Sequence, residues 1–303
     1  MPRRLRHLSG DRLRVALVGC GAMGSRHARV VAEDPDCELV AVVDTDPGRA
    51  ATLAERHRTR VERVVPRQVD AVIVATPTTT HAELAGPLLA QGVWCLIEKP
   101  LAHSAEAARS LRHPRCAVGH VERHNPALRA AGALAPRVVE DRRIAPPTGR
   151  GTDVDVILDL MIHDIDLVLD WAGPGAEVAW IDAAAVAVEG DLVDTASVRL
   201  RTTTGLTATL LASRVATERQ RHIACYEGGR STVLDMLSGR ARRGAEELRT
   251  ADPRDALTCQ WQAFTEAVRR DRRPSASGDA GIRAVEVAER IRAVTLREAR
   301  CER

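Results

Sequence analysis

Lysine and aromatic residues are scarce in this chain of 303 residues. Of its 44 basic residues, 43 are Arg, and the single Lys stands at position 99. The aromatics are one Phe, one Tyr and four Trp, so the core must be built mainly from Ala, Val, Leu and Ile. The basic residues are spread along the chain and form no basic face with interleaved aromatics, which argues against nucleic-acid binding.

Long apolar runs and paired cysteines are also missing. No stretch of about 18 apolar residues is present, so we expect no membrane span. The amino-terminal segment MPRRLRHLSGDRLR lacks an apolar core and is not expected to be a signal peptide. Seven cysteines without a CxxC pair fit neither a disulfide framework nor a zinc site. We therefore expect a protein of the reducing cytoplasm without a bound metal.

The lone Lys99 is unusual in a chain that otherwise uses Arg. An Arg side chain stays protonated in proteins, whereas a Lys can give up its proton. A single retained Lys therefore indicates a position at which a guanidinium does not serve. Chance survival is the alternative, so position 99 needs independent support.

The first 121 residues alternate between short apolar strands and helices. Strands are predicted near 15–18, 38–43, 69–75, 93–97 and 116–119, and helices at 23–31, 47–57, 81–91 and 104–111. Strands that are apolar on both faces and alternate with helices indicate a parallel sheet covered on both sides. The order predicts an NAD-binding domain of the doubly wound Rossmann type over residues 1–121.

Residues 122–303 show a different pattern. A helix is predicted over 156–171, strands over 177–188, 196–210 and 222–235, and further helices over 256–270 and 281–300. The strands near 200 and 230 alternate apolar with polar residues around turns, which is typical of antiparallel hairpins. We predict an α+β domain with a large, mostly antiparallel open sheet, for substrate binding and oligomerisation. The stretch 141–151, with two Pro and two Gly, is predicted to be a loop.

A GxGxxG motif follows the first strand and opens the first helix. It consists of Gly19, Gly21 and Gly24, with Cys20, Ala22 and Met23 between them. The glycines permit a tight turn and a close approach of the backbone to a pyrophosphate, which then faces the amino end of the helix.

Asp44 supplies the acidic residue that this motif requires, 20 positions beyond the last glycine. Its carboxylate can accept hydrogen bonds from the adenosine ribose and would repel a 2′-phosphate, which favours NAD over NADP. The alternative is that Asp44 caps the helix that starts near Pro47, although Asp46 can do this instead.

Five segments occur in one order: GCGAMGSRHA, ATPTTTHAE, IEKP, VGHVERHNPA and DVILDLMIHDIDL. Together they resemble the glucose–fructose oxidoreductase/inositol dehydrogenase family, also called Gfo/Idh/MocA, over residues 15 to about 170. The resemblance implies a Rossmann domain followed by a domain with an open sheet. It also implies NAD-dependent oxidation or reduction of a hydroxyl or keto carbon on sugars, inositols or nucleotide sugars.

The resemblance implies three catalytic residues. Lys99 matches the lysine of the family's EKP motif beside the nicotinamide, and Asp159 and His163 match its Asp-x-x-x-His pair. The residues themselves agree, because positions four apart share one face of a helix, and Lys99 follows a strand's carboxyl end, where Rossmann ligands bind. The three are expected to converge in the cleft between the domains. Whether Lys99 or His163 accepts the proton stays open, and His163 alone can also be read as a buried, hydrogen-bonded core histidine.

Further site residues follow from the same resemblance. Thr76, Pro77 and His81 match the loop that contacts the cofactor, and Glu98 is expected at the nicotinamide ribose. Arg123, His124 and Asn125 match a segment that lines the substrate site, where the family often has aromatics. His163-Asp164 also resembles a metal-binding doublet, but other ligands at suitable spacing are missing. Asp164, Asp166 and Asp170 are therefore expected to be exposed helix charges.

The sequence is compatible with several functions. GHVERHNPA and DLMIHDID are most similar to family members that oxidise UDP-N-acetylglucosamine at the 3-hydroxyl. An inositol or free-sugar dehydrogenase has the same chemistry. An NAD-retaining glycoside hydrolase and a non-catalytic dinucleotide sensor are alternatives from other classes. The uncovered sheet face predicts a homodimer or homotetramer, and we expect neither nucleic acid nor membrane as a partner.

Overall fold

The structure, a computed structural model, describes residues 12–147, 154–188 and 191–301, and side chains as far as residue 295. This part of the chain forms two compact units. The first contains residues 12–120 and 257–282, and the second contains the described residues of 121–256 and 283–301. A single cut after residue 121 does not represent this division, because 257–282 pack with the first unit. The separate roles expected for the two domains stay predictions.

Eight helices lie in the described ranges, and none of them is long and apolar enough to cross a membrane. In chain order they are α1 (Ala22–Glu33), α2 (Pro47–His57), α3 (His81–Ala90), α4 (Ala105–Ser110), α5 (Pro126–Ala131), α6 (Ile162–Ala172), α7 (Ala256–Arg269) and α8 (Gly278–Cys301).

Six parallel strands form the sheet of the first unit. They are β1 (Leu13–Val18), β2 (Cys37–Val43), β3 (Arg60–Val61), β4 (Ala71–Val74), β5 (Trp94–Ile97) and β6 (Cys116–Val118). Their order is β3-β2-β1-β4-β5-β6, so the chain changes direction between β1 and β4. At such a switch point the loops leave the carboxyl ends of neighbouring strands in opposite directions and open a crevice for ligands. The predicted doubly wound sheet is confirmed.

Eight strands form the sheet of the second unit. They are β7 (Val138–Ile144), β8 (Val178–Val186), β9 (Thr195–Thr202), β10 (Thr207–Ser213), β11 (Gln220–Glu227), β12 (Arg230–Asp235), β13 (Arg240–Arg243) and β14 (Glu246–Leu248). The order is β14-β13-β12-β11-β7-β10-β9-β8. The strands β7 and β10 are parallel and all other neighbours are antiparallel, which confirms the predicted mostly antiparallel sheet.

The loop predicted over 141–151 is wrong at its start, because residues 141–144 belong to β7. Residues 148–151 lie outside the described part of the chain. The error has a physical cause, because Asp141 and Arg143 lie on the buried face of β7. A half-buried strand is recognised in sequence by apolar residues at every second position, and here two of those positions are charged.

A buried ionic cluster takes the place of apolar side chains on that face. Arg143 is 2% exposed and donates from Nε to Asp164 on α6 at 2.7 Å and from Nη1 to Glu122 at 2.9 Å. Arg221 on β11 adds a second contact to Glu122 at 3.1 Å. Burial raises the pKa of the Asp141 carboxyl well above its usual range, and the neighbouring Asp164 raises it further. With Asp141 protonated, the two arginines balance the charges of Glu122 and Asp164.

Two carboxylates on α6 that were expected to be exposed are buried. Asp164 and Asp166 are 1% and 2% exposed, whereas Asp170 lies at the surface as predicted. Asp166 accepts two hydrogen bonds from one edge of the Arg123 guanidinium, from Nε at 2.6 Å and from Nη2 at 2.7 Å. Asp164 and Asp166 each have an arginine partner from a segment distant in sequence, and such partners are what allow charge to be buried.

The other face of the second sheet is open. One row across it joins Trp180, Arg201, Thr207, Val138 and Tyr226 in register. Three of these are large apolar or aromatic residues with 40–48% of their surface exposed. Whether this row serves for association with a second copy stays a prediction.

The ionic cluster generates a stability prediction. Replacing Arg143 by Met leaves Asp164 and Glu122 buried without their main counter-ion, which costs about 3–5 kcal/mol of unfolding free energy at neutral pH. Without the cation the native carboxyls bind protons more tightly than in the unfolded chain, so the loss should shrink as the pH falls. Urea unfolding of Arg143→Met at several pH values measures this effect.

Arg221→Met is the matched control, since the Arg221 side chain is 31% exposed and its removal should cost about 1 kcal/mol or less. Equal losses in the two variants, or a loss for Arg143→Met that does not depend on pH, would contradict the proposed balance of charges.

Candidate active site

The glycine motif forms the turn between β1 and α1. Gly19 has φ +95°, and a Cβ there would collide with the carbonyl of Ala75, which follows β4. A Cβ on Gly24 would collide with the Gly19 carbonyl, so α1 packs directly on the turn. Around Gly21 the space is open: apart from its two chain neighbours, no described residue has a heavy atom within 4 Å of a Cβ placed there. In the described chain no side chain caps α1, and its amino end is available to an anionic group.

Asp44, directly after β2, connects the end of that strand to the glycine motif by hydrogen bonds. Its carboxylate accepts the backbone N–H of Cys20 at 2.6 Å and that of Asp46 at 2.8 Å. Asp46, not Asp44, caps α2 by accepting from the N–H groups of Gly48 and Arg49 at 2.9 and 3.1 Å. The capping alternative for Asp44 is thereby removed. Each oxygen of the carboxylate keeps a lone pair for a ribose hydroxyl.

A cavity of about 410 Å³ adjoins this turn, lined by residues that include Cys20, Ser25, Asp46, Arg49 and Thr52. Its volume lies in the range of small-molecule sites. Burial, with the charge of Asp44 adding to it, raises the pKa of the Cys20 thiol to about 11, so Cys20 is neutral there. The open glycine turn, the uncapped helix and the carboxylate fit an adenosine diphosphate group, and hence NAD.

The loop after β4 carries three of the predicted residues. Thr80 donates its hydroxyl to the Pro77 carbonyl at 2.8 Å, and Thr76 lies 2.7 Å from the Thr80 hydroxyl. Thr76 is then the donor to Thr80, and its oxygen can accept from a ligand. His81 is 1% exposed, and its ring nitrogens lie 3.0 Å from the carbonyls of Thr76 and Pro100. Its side chain holds the loops after β4 and β5 and has no nitrogen left for the cofactor.

Glu98 and Lys99 directly follow β5. Glu98 is 8% exposed and its carboxylate contacts the ring of His27 on α1 at 2.7 Å. Lys99 is half-buried. The two residues therefore differ in environment. The Glu98 carboxylate is buried inside the unit, whereas Lys99 lies at the carboxyl end of β5, the end of a doubly wound sheet at which cofactors bind.

Asp159 and His163 lie in the second unit. A π-helical turn, Ile157–Met161, precedes α6, so the predicted continuous helix contains one wider turn that holds Asp159. Asp155 anchors its start by accepting from the N–H groups of Ile157 and Leu158 at 3.1 and 3.0 Å. His163 is 9% exposed and Asp159 is half-buried. Single π turns are frequent at functional sites.

The predicted substrate segment is largely taken up by internal contacts. The Arg123 guanidinium is bound by Asp166 and Asp170. Asn125 donates to Glu122 at 2.8 Å and to the Met236 carbonyl at 3.0 Å, and its oxygen accepts from Ala127 as the cap of α5. Both side chains therefore hold structure, and a direct contact with substrate stays unsupported for them.

His124 is half-buried, and burial lowers its pKa to about 4, with the neighbouring arginines adding to the effect. It is neutral at physiological pH. Its role at the substrate site stays a prediction.

Sequence reasoning missed His27, Glu122 and Arg143. The histidine follows the last glycine of the motif by three residues, but nothing in the spacing indicates its contact with Glu98, which is 71 positions away. Among the described residues no group of three His, Cys, Asp or Glu side chains is arranged to hold a metal ion.

The doubly wound sheet, the open glycine turn and the carboxylate of Asp44 define a dinucleotide-binding protein. Residues 13–114 match the family described as an oxidoreductase family with an NAD-binding Rossmann fold, and residues 129–231 match the GFO/IDH/MocA C-terminal domain. The chain belongs to this family of NAD-binding oxidoreductases.

Individual relatives agree with this assignment. The chain is 36% identical to UDP-N-acetylglucosamine 3-dehydrogenase of Acidithiobacillus ferrooxidans, over 92% of this chain and 96% of the relative. A solved structure of that bacterium's enzyme has a TM-score of 0.86 at 35% identity, covering 93% of this chain and 97% of the other. An inositol 2-dehydrogenase of Rhizobium meliloti is 29% identical over 68% of this chain and 70% of its own length.

The geometry of Asp44 predicts cofactor preference. Asp44→Ser removes the negative charge that opposes a 2′-phosphate and the acceptor that holds Cys20. NAD should bind at least tenfold more weakly, about 1.4 kcal/mol, and the preference over NADP should fall. Calorimetric titration with both dinucleotides measures the two affinities.

Asp46→Ser is the matched control for Asp44→Ser. It keeps a helix-capping side chain and should preserve the preference for NAD. Tighter binding of NADP than of NAD to the unaltered protein would refute the role of Asp44.

Proposed function

We propose that this protein oxidises UDP-N-acetylglucosamine, or a closely related nucleotide sugar, at the 3-hydroxyl and passes the hydride to NAD. The observation that carries the proposal is the similarity to the Acidithiobacillus ferrooxidans dehydrogenase over nearly the whole of both chains. Motif residues support it, because Lys99, Asp159 and His163 are the types and spacings that the resemblance assigns to catalysis. Fold alone would not support a substrate.

Oxidation of an alcohol removes one hydrogen as a hydride, from carbon, and the other as a proton, from oxygen. The chemistry that NAD supplies when bound is acceptance of a hydride from the carbon that bears the hydroxyl. The chain must remove the hydroxyl proton as the C=O bond forms. We assign this proton to His163 as general base, and we assign to Lys99 a hydrogen bond to the reacting oxygen.

Lys99 and His163 can exchange these roles, since both residue types can accept a proton at accessible pH. Asp159 is proposed to orient the pair. A carboxylate four positions before a histidine can accept a hydrogen bond from its ring and so fix the tautomer.

An inositol is the second candidate substrate. The Rhizobium meliloti inositol 2-dehydrogenase matches more than two thirds of this chain, and its reaction also converts a ring hydroxyl to a ketone. The lower identity and coverage place it behind the nucleotide sugar. The two substrates differ in charge, because a nucleotide sugar carries a diphosphate and an inositol carries none.

We also propose that the protein works in the cytoplasm as a homodimer or homotetramer. The six described cysteines are free and buried, which suits a reducing compartment. The row from Trp180 to Tyr226 on the open sheet face offers apolar area for a second copy. Sedimentation of the intact protein as a monomer at micromolar concentration would contradict the assembly.

The substrate assignment predicts the outcome of a screen. NADH absorbance should rise with NAD and UDP-N-acetylglucosamine, and more slowly or not at all with free N-acetylglucosamine or myo-inositol. Turnover of myo-inositol in the absence of any activity on UDP-sugars would exclude the nucleotide sugar and leave an inositol dehydrogenase. Absence of NADH formation with every alcohol tested would remove the dehydrogenase assignment itself.

The catalytic assignment predicts the behaviour of position 99. Lys99→Arg and Lys99→Met should each lower turnover by about 10²–10⁴-fold, because an Arg is forked and permanently charged and a Met has no proton to donate. NAD affinity should change much less, since the glycine motif and Asp44 hold the dinucleotide. Turnover and NAD binding measured on the same preparations test this. Near-normal turnover of Lys99→Arg would mean that the single lysine is an accident of composition.

A further inference from the structure

A buried imidazole–carboxylate pair lies inside the first unit and is not used by the proposed chemistry. His27 of α1 is 1% exposed and Glu98 is 8% exposed. The ring Nε2 lies 2.7 Å from Glu98 Oε1. The pair connects the helix that begins at the glycine motif with the residue that precedes Lys99.

The hydrogen-bonding pattern indicates which atoms of His27 and Glu98 carry a proton. His27 Nδ1 is buried and has no hydrogen-bond partner among the described residues. A protonated ring would leave a buried N–H unpaired at Nδ1, which is costly. The neutral ring with its proton on Nε2 avoids this cost and donates to an ionised Glu98. Burial by itself would raise the pKa of the Glu98 carboxyl, but the hydrogen bond from His27, with the positive charge of Lys99 adding to it, lowers this pKa.

The carboxylate is held from several sides. Its Oε2 accepts the backbone N–H of Lys99 at 3.3 Å. At the end of β6, a Cβ on Gly119 would lie 2.8 Å from Oε1, so the carboxylate fills the space that a side chain there would need. The titratable groups that face Glu98 are His27 from α1, Lys99 after β5 and His81 from α3. Of these three, His27 donates a side-chain hydrogen bond to the carboxylate.

We propose that His27 is a positioning residue, which fixes the Glu98 carboxylate by hydrogen bonding and thereby fixes the backbone from which Lys99 reaches the reacting hydroxyl. The inference rests on the proposed function, because it requires Lys99 to act on the substrate. It adds a role for α1: the helix whose amino end faces the dinucleotide also sets the position of the lysine through its second turn.

The test compares His27→Met with His27→Gln. The two side chains are similar in length, but only the Gln amide nitrogen can take the place of ring Nε2 and donate to Glu98. His27→Met should lose about tenfold to a hundredfold in kcat, as small displacements of a reacting group do, with little change in KM or in NAD affinity. The acid limb of its kcat–pH profile should move to higher pH, because Glu98 without its donor stays protonated to a higher pH.

His27→Gln should recover most of the turnover and return the acid limb to that of the unaltered enzyme. A double variant, His27→Met with Glu98→Gln, should lose no more than the worse single variant, because both changes break one interaction. If His27 had only a structural role, His27→Met and His27→Gln would both lower thermal stability, and their kcat–pH profiles would be the same.

The outcomes separate this inference from the proposed function. Normal turnover of Lys99→Met would end the catalytic assignment, whatever the His27 variants do. An inactive Lys99→Met together with a folded His27→Met that has unaltered kcat and pH profile would overturn the positioning role alone. If His27→Met does not fold, His27→Asn replaces it, because its shorter amide cannot reach Glu98. Equal kcat and equal pH profiles for the Asn and Gln variants would then overturn the proposal.

Discussion

The close approach of Gly19 to the Ala75 carbonyl is the constraint on which the cofactor site depends. It brings the turn after β1 against the loop after β4, at the one place where neighbouring strands of this sheet send their chains in opposite directions. A side chain at position 19 would push the two loops apart. On the other side of the turn, Asp44 accepts the N–H of Cys20, so a single carboxylate holds the glycine motif to the end of β2.

The meeting of Asp44 with the glycine motif could be predicted from sequence because its signals are local. Gly19, Gly21 and Gly24 lie within six residues, and Asp44 ends the next strand, so their meeting follows from strand order alone. Asp164 and Asp166 were misread as exposed because their partners, Arg143 and Arg123, come from other elements. A charged side chain reads as exposed until its partner is known. The contact between His27 and Glu98 was missed for the same reason.

The second unit shows how an Arg-rich chain buries charge. A guanidinium offers five donors in a fixed plane, so Arg143 can bind Glu122 on the short 3₁₀ helix Val121–His124 and Asp164 on α6 at once. An ammonium in its place is a single point of charge on a flexible stem. The preference for Arg therefore has a structural effect in the core, whatever its origin, and it makes the exception at position 99 chemically informative and not only unusual in composition.

The return of residues 257–282 to the first unit bears on the order in which the protein is made. The N–H of Val118 in β6 donates to the carbonyl of Ala276, and the indole of Trp261 donates to Asp34. Close packing of Gly281 against Val118 and Leu101 completes this side of the sheet. During synthesis the whole second sheet leaves the ribosome before these contacts can form. The unit that begins the chain is thus among the last to be finished, and its β6 edge must wait, unpaired, until the carboxyl-terminal helices arrive.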